Sequence, residues 1–599
     1  MKLEEIEQPS RVEQIKHDSN GLRLPSATEL SSDALAVSEE ACQLLKFHGT
    51  YQQDNRDTRI ARKRSGLDKD YSFMVRNRIP GGRLTAKQFL AELDLAEQFG
   101  NGTIRLTTRQ SIQIHGVLKN NLRDVIHAIN RIGLSTQSAC GDVNRNVMCC
   151  PAPLHQNAVR KNMLALADQL ADILRPRTQA YNDLWVTDPD TGEKTNHLAS
   201  AIVEEPLYGA LYLPRKFKVG IALCDDNCID VYDQDIGLLG ITDGDSLLGY
   251  NILAGGSMGT TPSDPRCFPA LAKRLAFVTP EQVAVVASAI VLVQRDHGDR
   301  SDRRQARMKY LIHRWGLERF REAVVGRLEE AAATIGADPS QIPDGLAEPH
   351  PDDVRSAPDH LGWHEQGDGN RFLGIPIENG RIKDEDNMRL KKGLREIFTR
   401  FEFGARITAQ QNLLIADIPP SQCREVQTIL SDHGINTTDD LKPLRRRAFA
   451  CPALPTCGLA LTESERVLPR LVGQLQTILD DLKMGDLELD LRMTGCPNGC
   501  ARPYNAEIGL VGSGHNPKSG QGKYTVFLGG SPLGNRLNSV FREKVLFDEI
   551  PPLLRPILQH FADHRNSDES FGDFCHRLGL EQLRDLSDGP LEGNHRSVS

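Results

Sequence analysis

No stretch of these 599 residues approaches 18 consecutive apolar side chains, so nothing in the sequence reads as a membrane span. A basic excess is missing too: 72 Lys and Arg stand against 80 Asp and Glu, for a net charge of -8. That balance argues against a nucleic-acid partner, whose binders gather positive charge. Thirteen cysteines are too few for a disulfide framework in a chain this long, and a reducing compartment would leave them as thiols open to metal. The opening MKLEEIEQPSRVEQIKHD lacks the apolar core of a secretory signal, which makes a cytoplasmic protein the expectation. No G-x-G-x-x-G follows a strand to open a helix and no flavin motif stands out, so the chain is not expected to bind NADPH itself. What remains, 39% hydrophobic and 25% charged, is an ordinary soluble enzyme with room for about three to five domains.

What the chain does have is four cysteines in two loops, CPALPTC (Cys451 to Cys457) and TGCPNGC (Thr494 to Cys500). The pattern is C-x5-C and C-x3-C with 38 residues between the pairs. Four thiolates drawn from two loops are what an iron-sulfur cube asks of a protein. Each pair lies among Pro and Gly rather than on an apolar periodic face, which speaks against scattered buried thiols. Structural zinc is the other alternative, although its pairs are usually spaced C-x2-C or C-x4-C. CPALPTCGLALTESER and TGCPNGCARPYNAEIGLVG together resemble the cluster motif of the sirohaem-dependent sulfite and nitrite reductases, above all the ferredoxin-dependent assimilatory sulfite reductases. The resemblance extends from about His48 to Phe547. It implies that Cys451, Cys457, Cys496 and Cys500 hold a [4Fe-4S] cluster and that Cys500 also ligates the sirohaem iron. The related nitrite reductases typically read CTGxxFC and TGCPNSC at these places, so the motifs here favour sulfite.

Residues 1–70 read as a polar N-terminal wrapping arm, with helical patches such as Ser32 to Leu45. From Ser72 a strand leads through Gly81 and Gly82 into a helix on which Phe89, Leu90, Leu93, Ala96 and Phe99 recur at helical spacing, with Gly100 as the stop. A second strand is expected over Thr103 to Gly116 and a second helix over Leu122 to Ile132, which together make a ferredoxin-like unit. The chain then repeats itself. RLTTRQSIQI (Arg105 to Ile114) aligns with RITAQQNLLI (Arg406 to Ile415) 301 residues on, and Cys150-Pro151-Ala152 aligns with Cys451-Pro452-Ala453 at the same offset. Cys224, Cys228 and YDQDIGLLG align with Cys496, Cys500 and YNAEIGLVG at an offset of 272. The expected fold is therefore α/β (α+β), a pseudo-twofold duplication of the sulfite and nitrite reductase type with its ferredoxin-like modules paired in a central domain. The boundaries are an arm at 1–70, half-domains at 71–137 and 365–438, and α/β domains at 138–336 for sirohaem and substrate and 439–585 for the cluster and sirohaem. A linker occupies 337–364 and a tail 586–599.

The alternation in Thr103 to His115 places Arg105, Arg109, Gln113 and His115 on one strand face, where a solvated sheet surface is the plain alternative. Sirohaem carries eight carboxylates, and the resemblance turns this face, with Arg78 and Asn144, into its expected cradle, because buried anions need cations. By the same resemblance Arg76, Arg145, Lys216 and Lys218 hold the substrate anion. The arginines suit binding, and the lysines suit binding with proton delivery. Cys150, Cys224 and Cys228 match three of the four cluster ligands while Gln156 stands at the fourth position. They are expected to be buried remnants, leaving one cluster per chain. The implied reaction is six-electron reduction of sulfite to hydrogen sulfide in sulfate assimilation, with electrons from ferredoxin. A flavoprotein-fed haemoprotein subunit, a nitrite reductase, or a non-catalytic iron-sulfur or zinc scaffold are the alternatives.

Overall fold

A computed structural model describes residues 3–154, 158–180, 185–187, 191–192, 194–196, 205–438 and 441–588. The chain forms two compact units, residues 1–257 with 264–437 and residues 258–263 with 438–599. Both mix helix and sheet. Among the described residues no helix is long and apolar enough to cross a membrane.

The first unit contains two antiparallel sheets of ferredoxin-like type. One runs in the order Thr50–Asp54, Tyr71–Arg76, Ile112–Val117, Ile104–Leu106 and Arg381–Ile382; the other runs Gly362–Glu365, Arg371–Ile375, Leu413–Ile418, Gly404–Ile407 and Arg83–Leu84. Each sheet thus takes its last strand from the other half of the chain, with Arg381 opposite Arg105 and Arg83 opposite Arg406. The exchange is tight. Gly82 and Gly380 both have positive φ, 70° and 74°, and a Cβ on either would collide with the carbonyl oxygen of Ile407 or Leu106. Gln110 donates to that Ile407 carbonyl at 3.0 Å, and its repeat partner Gln411 donates to Leu106 at 3.3 Å. Helices Ala86–Phe99 and Leu390–Phe401 meet through Phe89 and Phe398, whose rings lie 4.7 Å apart, in a single apolar core.

The stretch Thr103 to Gly116, expected as one strand, is a hairpin. Thr107 N–H donates to the Ser111 carbonyl at 2.9 Å, and Gln110 takes a left-handed φ of 52° in the turn. Ile104, Leu106, Ile112 and Ile114 keep an even spacing through that turn, so the two-residue alternation of one strand runs through it unbroken and hides the reversal.

The third five-stranded sheet of this unit sets Met148–Cys149, Val219–Leu223 and Ile236–Asp243 parallel and adds Ser246–Ala254 and Lys273–Val278 antiparallel. In the second unit Ala448–Ala450, Leu491–Thr494 and Ile508–His515 are parallel, followed by Gly522–Leu528 and Ser539–Leu546 antiparallel. The two sheets have one topology. Cys150 and Cys451 each follow the first strand, while Cys224 and Cys496 follow the second.

The N-terminal helix Arg11–Asp18 is fastened through buried charge: Arg300 lies 2.5 Å from Glu13, and Lys16, 2.6 Å from Glu13, donates to the Leu213 carbonyl at 2.9 Å. The linker region packs back on the first α/β sheet, where Phe277 pairs with Ala347 and Asn227 N–H donates to the Ser356 carbonyl at 2.9 Å. Tail positions 589–599 and Gln156 lie outside the described residues.

Candidate functional site

In the second unit both cysteine loops leave the carboxyl ends of parallel strands, the place where open α/β sheets hold ligands. Cys451 N–H donates to the Met493 carbonyl at 3.2 Å, and its Sγ accepts from Gly495 N–H at 3.3 Å. Asn498 Nδ2 donates to Cys496 Sγ at 3.4 Å, and Cys457 N–H to the Ala453 carbonyl at 2.8 Å. Gly495 has no room for a side chain, because Ala453 and the Thr462 carbonyl press on it, and so the two loops stack. Burial pushes the Cys496 thiol up to about 11, and negative charge on Cys500 and Cys457 acts in the same direction. Burial likewise raises the Cys451 thiol, with Cys500 the next contributor. Binding a cationic centre would hold these thiols as thiolates and reverse the penalty. Cys451 and Cys496 are buried, Cys457 is half-buried and Cys500 is exposed.

In the first unit the strand pairing assembles a row of side chains across four strands. Arg76 faces Gln113, Gln113 faces Arg105, and Arg105 faces Arg381. Arg105 and Arg381, directly opposite each other on adjacent strands, repel one another, and Arg76 lies one strand beyond Gln113 in the same row. Such a row makes sense as a receptor for an anion. His115 stands on the same face, and burial followed by the charges of Arg381, Arg105 and Arg76 drives its pKa well down, so the ring is neutral. Its Nδ1 is 3.3 Å from Gln53 Oε1, whereas His115 Nε2 and Asn144 Oδ1 are buried with no partner among the described residues. A row of arginines on a sheet face suits a polyanionic tetrapyrrole, and four cysteines in two loops at strand ends suit a cube. Arg76 also reaches Cys140 Sγ at 2.8 Å and lies over the Tyr51 ring at 5.8 Å.

The other expected residues are distributed unevenly. Arg109 lies in the hairpin turn, not on the strand face, and bonds Gln234 Oε1 at 2.9 Å and the Asn146 carbonyl. Arg78 turns to the Ala171 carbonyl at 2.6 Å and sits with Arg175 and Asp172, apart from the arginine row. Arg145 N–H donates to the Phe217 carbonyl at 2.9 Å, so the Asn144-Arg145 segment runs beside Lys216 and Lys218. Burial, then Arg307 and Arg109, bring the Lys218 ammonium down to about 7. Its Nζ lies 3.5 Å from the Asp233 carbonyl.

Several members of this basic group escaped the sequence reading. Arg381 joins only through strand exchange. Arg307, paired with Asp235 at 2.9 Å, and Lys309, brought by burial down to about 6, complete the surroundings of Lys218. The arginine density of DRSDRRQARMK (Asp299 to Lys309) was the available signal. The first-half cysteines also differ from expectation. Cys224 Sγ points to the Gly240 carbonyl at 3.8 Å, while Cys150 and Cys228 gather with Asp226 and His360 rather than sitting as inert apolar fillers.

Residues 140–332 match the family described as "Nitrite and sulphite reductase 4Fe-4S domain", and residues 66–132 and 364–433 match "Nitrite/Sulfite reductase ferredoxin-like half domain". The "Sulfite reductase [ferredoxin]" of Synechococcus elongatus is 43% identical over 97% of this chain and 91% of its own length. The "Sulfite reductase [NADPH] hemoprotein beta-component" of Lysinibacillus sphaericus is 41% identical over 95% of this chain and 96% of its own. Among solved structures, the Mycobacterium tuberculosis NirA protein superposes with a TM-score of 0.75 at 24% identity, covering 96% of this chain and 98% of that one, which speaks to the fold alone.

Proposed function

This chain belongs to the nitrite and sulfite reductase family, and from that premise we propose that it reduces sulfite to hydrogen sulfide with six electrons drawn from a ferredoxin. Membership brings the cofactor pair expected from the cysteine motif, sirohaem and a [4Fe-4S] cluster. Cys451, Cys457, Cys496 and Cys500 would hold the cube and Cys500 the haem iron as well. Once bound, the pair supplies one-electron storage and a metal for the sulfur of sulfite.

The observation that carries the reading is the row of Arg76, Gln113, Arg105 and Arg381 across four adjacent strands. Arg105 and Arg109 would neutralise the cofactor's carboxylates and Gln113, His115 and Asn144 would line its cradle, whereas Arg78 is engaged by the Ala171 carbonyl instead. Arg76, Arg145, Lys216 and Lys218 hold the substrate dianion against an electron-rich centre, where fixed positive charge replaces water. Each S–O bond broken consumes protons. Lys218, with an ammonium near neutrality, is the donor best matched to that task.

The ferredoxin reading is supported by an exposed basic helix, Arg59–Arg64, which buries none of its residues. Lys63 and Arg64 are exposed there, near exposed Ile60 and Leu67. An acidic electron carrier complements such a patch. The test compares kcat/KM with reduced ferredoxin, with an NADPH flavoprotein and with a small viologen dye, for sulfite and for nitrite. Ferredoxin and sulfite should give the highest values. Lys63→Glu with Arg64→Glu should raise KM for ferredoxin roughly tenfold at low salt, given about a tenfold effect per 1.4 kcal/mol, and leave the dye reaction unchanged. Faster turnover with the flavoprotein, or a charge reversal without effect on ferredoxin, rejects this donor.

A further inference from the structure

We propose that the first half of the chain carries a structural zinc site made by Cys150, Asp226, Cys228 and His360, a reading independent of the donor and substrate assigned above. All four side chains are buried, and their ligand atoms lie within 4.8 Å of one another. Cys150 Sγ is 2.9 Å from Asp226 Oδ2 and 3.3 Å from His360 Nε2, and that nitrogen is 3.1 Å from the same Asp226 oxygen. A tetrahedral zinc with bonds of about 2.0–2.3 Å spaces its ligand atoms roughly 3.3–3.8 Å apart. Small shifts would therefore close the quartet around an ion.

The chemistry of the set selects the metal. Two sulfurs, one imidazole and one carboxylate suit zinc, whereas calcium and magnesium take oxygen ligands. Four protein ligands leave no open position for water or substrate, which makes the site structural. Charge also balances. Two thiolates, a carboxylate and a dication sum to one negative charge, and the Arg160 guanidinium, 2.5 Å from Asp226 Oδ2 and 3.5 Å from Cys150 Sγ, offsets it.

The ligands come from segments far apart in sequence. Cys150 directly follows the strand Met148–Cys149. Asp226 and Cys228 lie in the loop after Val219–Leu223, closed by the Leu223 and Asp226 backbone pair at 3.1 and 3.3 Å. His360, in a left-handed conformation at φ 56°, ends the linker just before Gly362–Glu365. An ion here would staple the linker to the first α/β sheet. The repeat explains the location, since Cys150 and Cys228 correspond to Cys451 and Cys500. Cys224 has turned away, and Asp226 and His360 supply the two missing ligands.

The test is elemental analysis of the purified holoenzyme, prepared without chelator, with zinc K-edge absorption on the same sample. One zinc per chain is expected, with two sulfur neighbours at about 2.3 Å and two nitrogen or oxygen neighbours at about 2.0–2.1 Å. His360→Ala and Cys228→Ser should each lower zinc at least tenfold while haem and acid-labile sulfide stay at wild-type levels; Cys224→Ser should keep its zinc. Where a ligand variant fails to fold, the absorption spectrum of the wild type decides. The proposal is overturned by holoenzyme that stays below about 0.1 zinc per chain after incubation with Zn²⁺, by a zinc shell without sulfur, by extra iron in place of zinc, or by zinc retained in both ligand variants.

Discussion

Lys218 illustrates how an ordinary surface residue becomes a chemical one. Lys216 and Lys218 flank the buried Phe217, and the fold lines the segment against Asn144-Arg145 and surrounds Lys218 with Arg307 and Arg109. Its ammonium is the proton-bearing form, present below about 7 and lost as pH rises through that value. Turnover at saturating donor should fall along that limb. Lys218→Met should retain both cofactors, lose roughly 10²–10⁴-fold in kcat and show no such limb; an unchanged profile would return Lys218 to a passive role. The four cysteines assigned to the cluster stood out in the sequence because their pattern is local, two short loops with fixed spacing. Arg381 was not, because it meets Arg105 only through pairing between segments distant in sequence. His360 and Asp226 were hidden for the same reason.

At the level of elements, the helix Ala86–Phe99 was readable from its apolar spacing, and its ends obey local rules: Thr85 and Gln88 form a capping box, and Gly100 closes it. The hairpin at Thr103 to Gly116 was misread because alternation continues through its turn, and pattern alone does not report a reversal. On that helix Glu92 is buried against Asn77, and burial raises its carboxyl from 4.5 to about 8. The folded protein therefore holds a proton that the unfolded chain releases between about 4.5 and 8. Stability from this group is full below that window and declines as pH rises across it. Glu92→Gln removes the titration. Relative to wild type its urea midpoint should climb from pH 5 to pH 8, by up to a few kcal/mol at about 1.4 kcal/mol per pKa unit; a difference independent of pH would mean that Glu92 is charged in the fold.

Across the whole molecule, two sheets of one topology raise the question of whether there are two clusters. Among the described residues, only those of the second unit bring four cysteines to its strand ends, and in the first Cys224 has left the group. Purified holoenzyme should hold about five irons and about four acid-labile sulfides per chain, one cube with one haem iron. Twice that sulfide would place a second cube in the first half. The duplication itself was legible from repeats in the same order at offsets of 301 and then 272, but the reciprocal exchange of strands was not, since Arg83-Leu84 and Arg381-Ile382 are too short to read as strands. That exchange has a consequence for synthesis. Ile104–Leu106 waits for its neighbour Arg381–Ile382 until about 275 more residues have been made, and at roughly 5–20 residues per second a ribosome needs tens of seconds to make them. Throughout that interval the newborn polypeptide presents an open β-edge able to recruit stray strands. Its production should lean on chaperones, and a gene trimmed to either half should yield an aggregating fragment in place of a smaller enzyme.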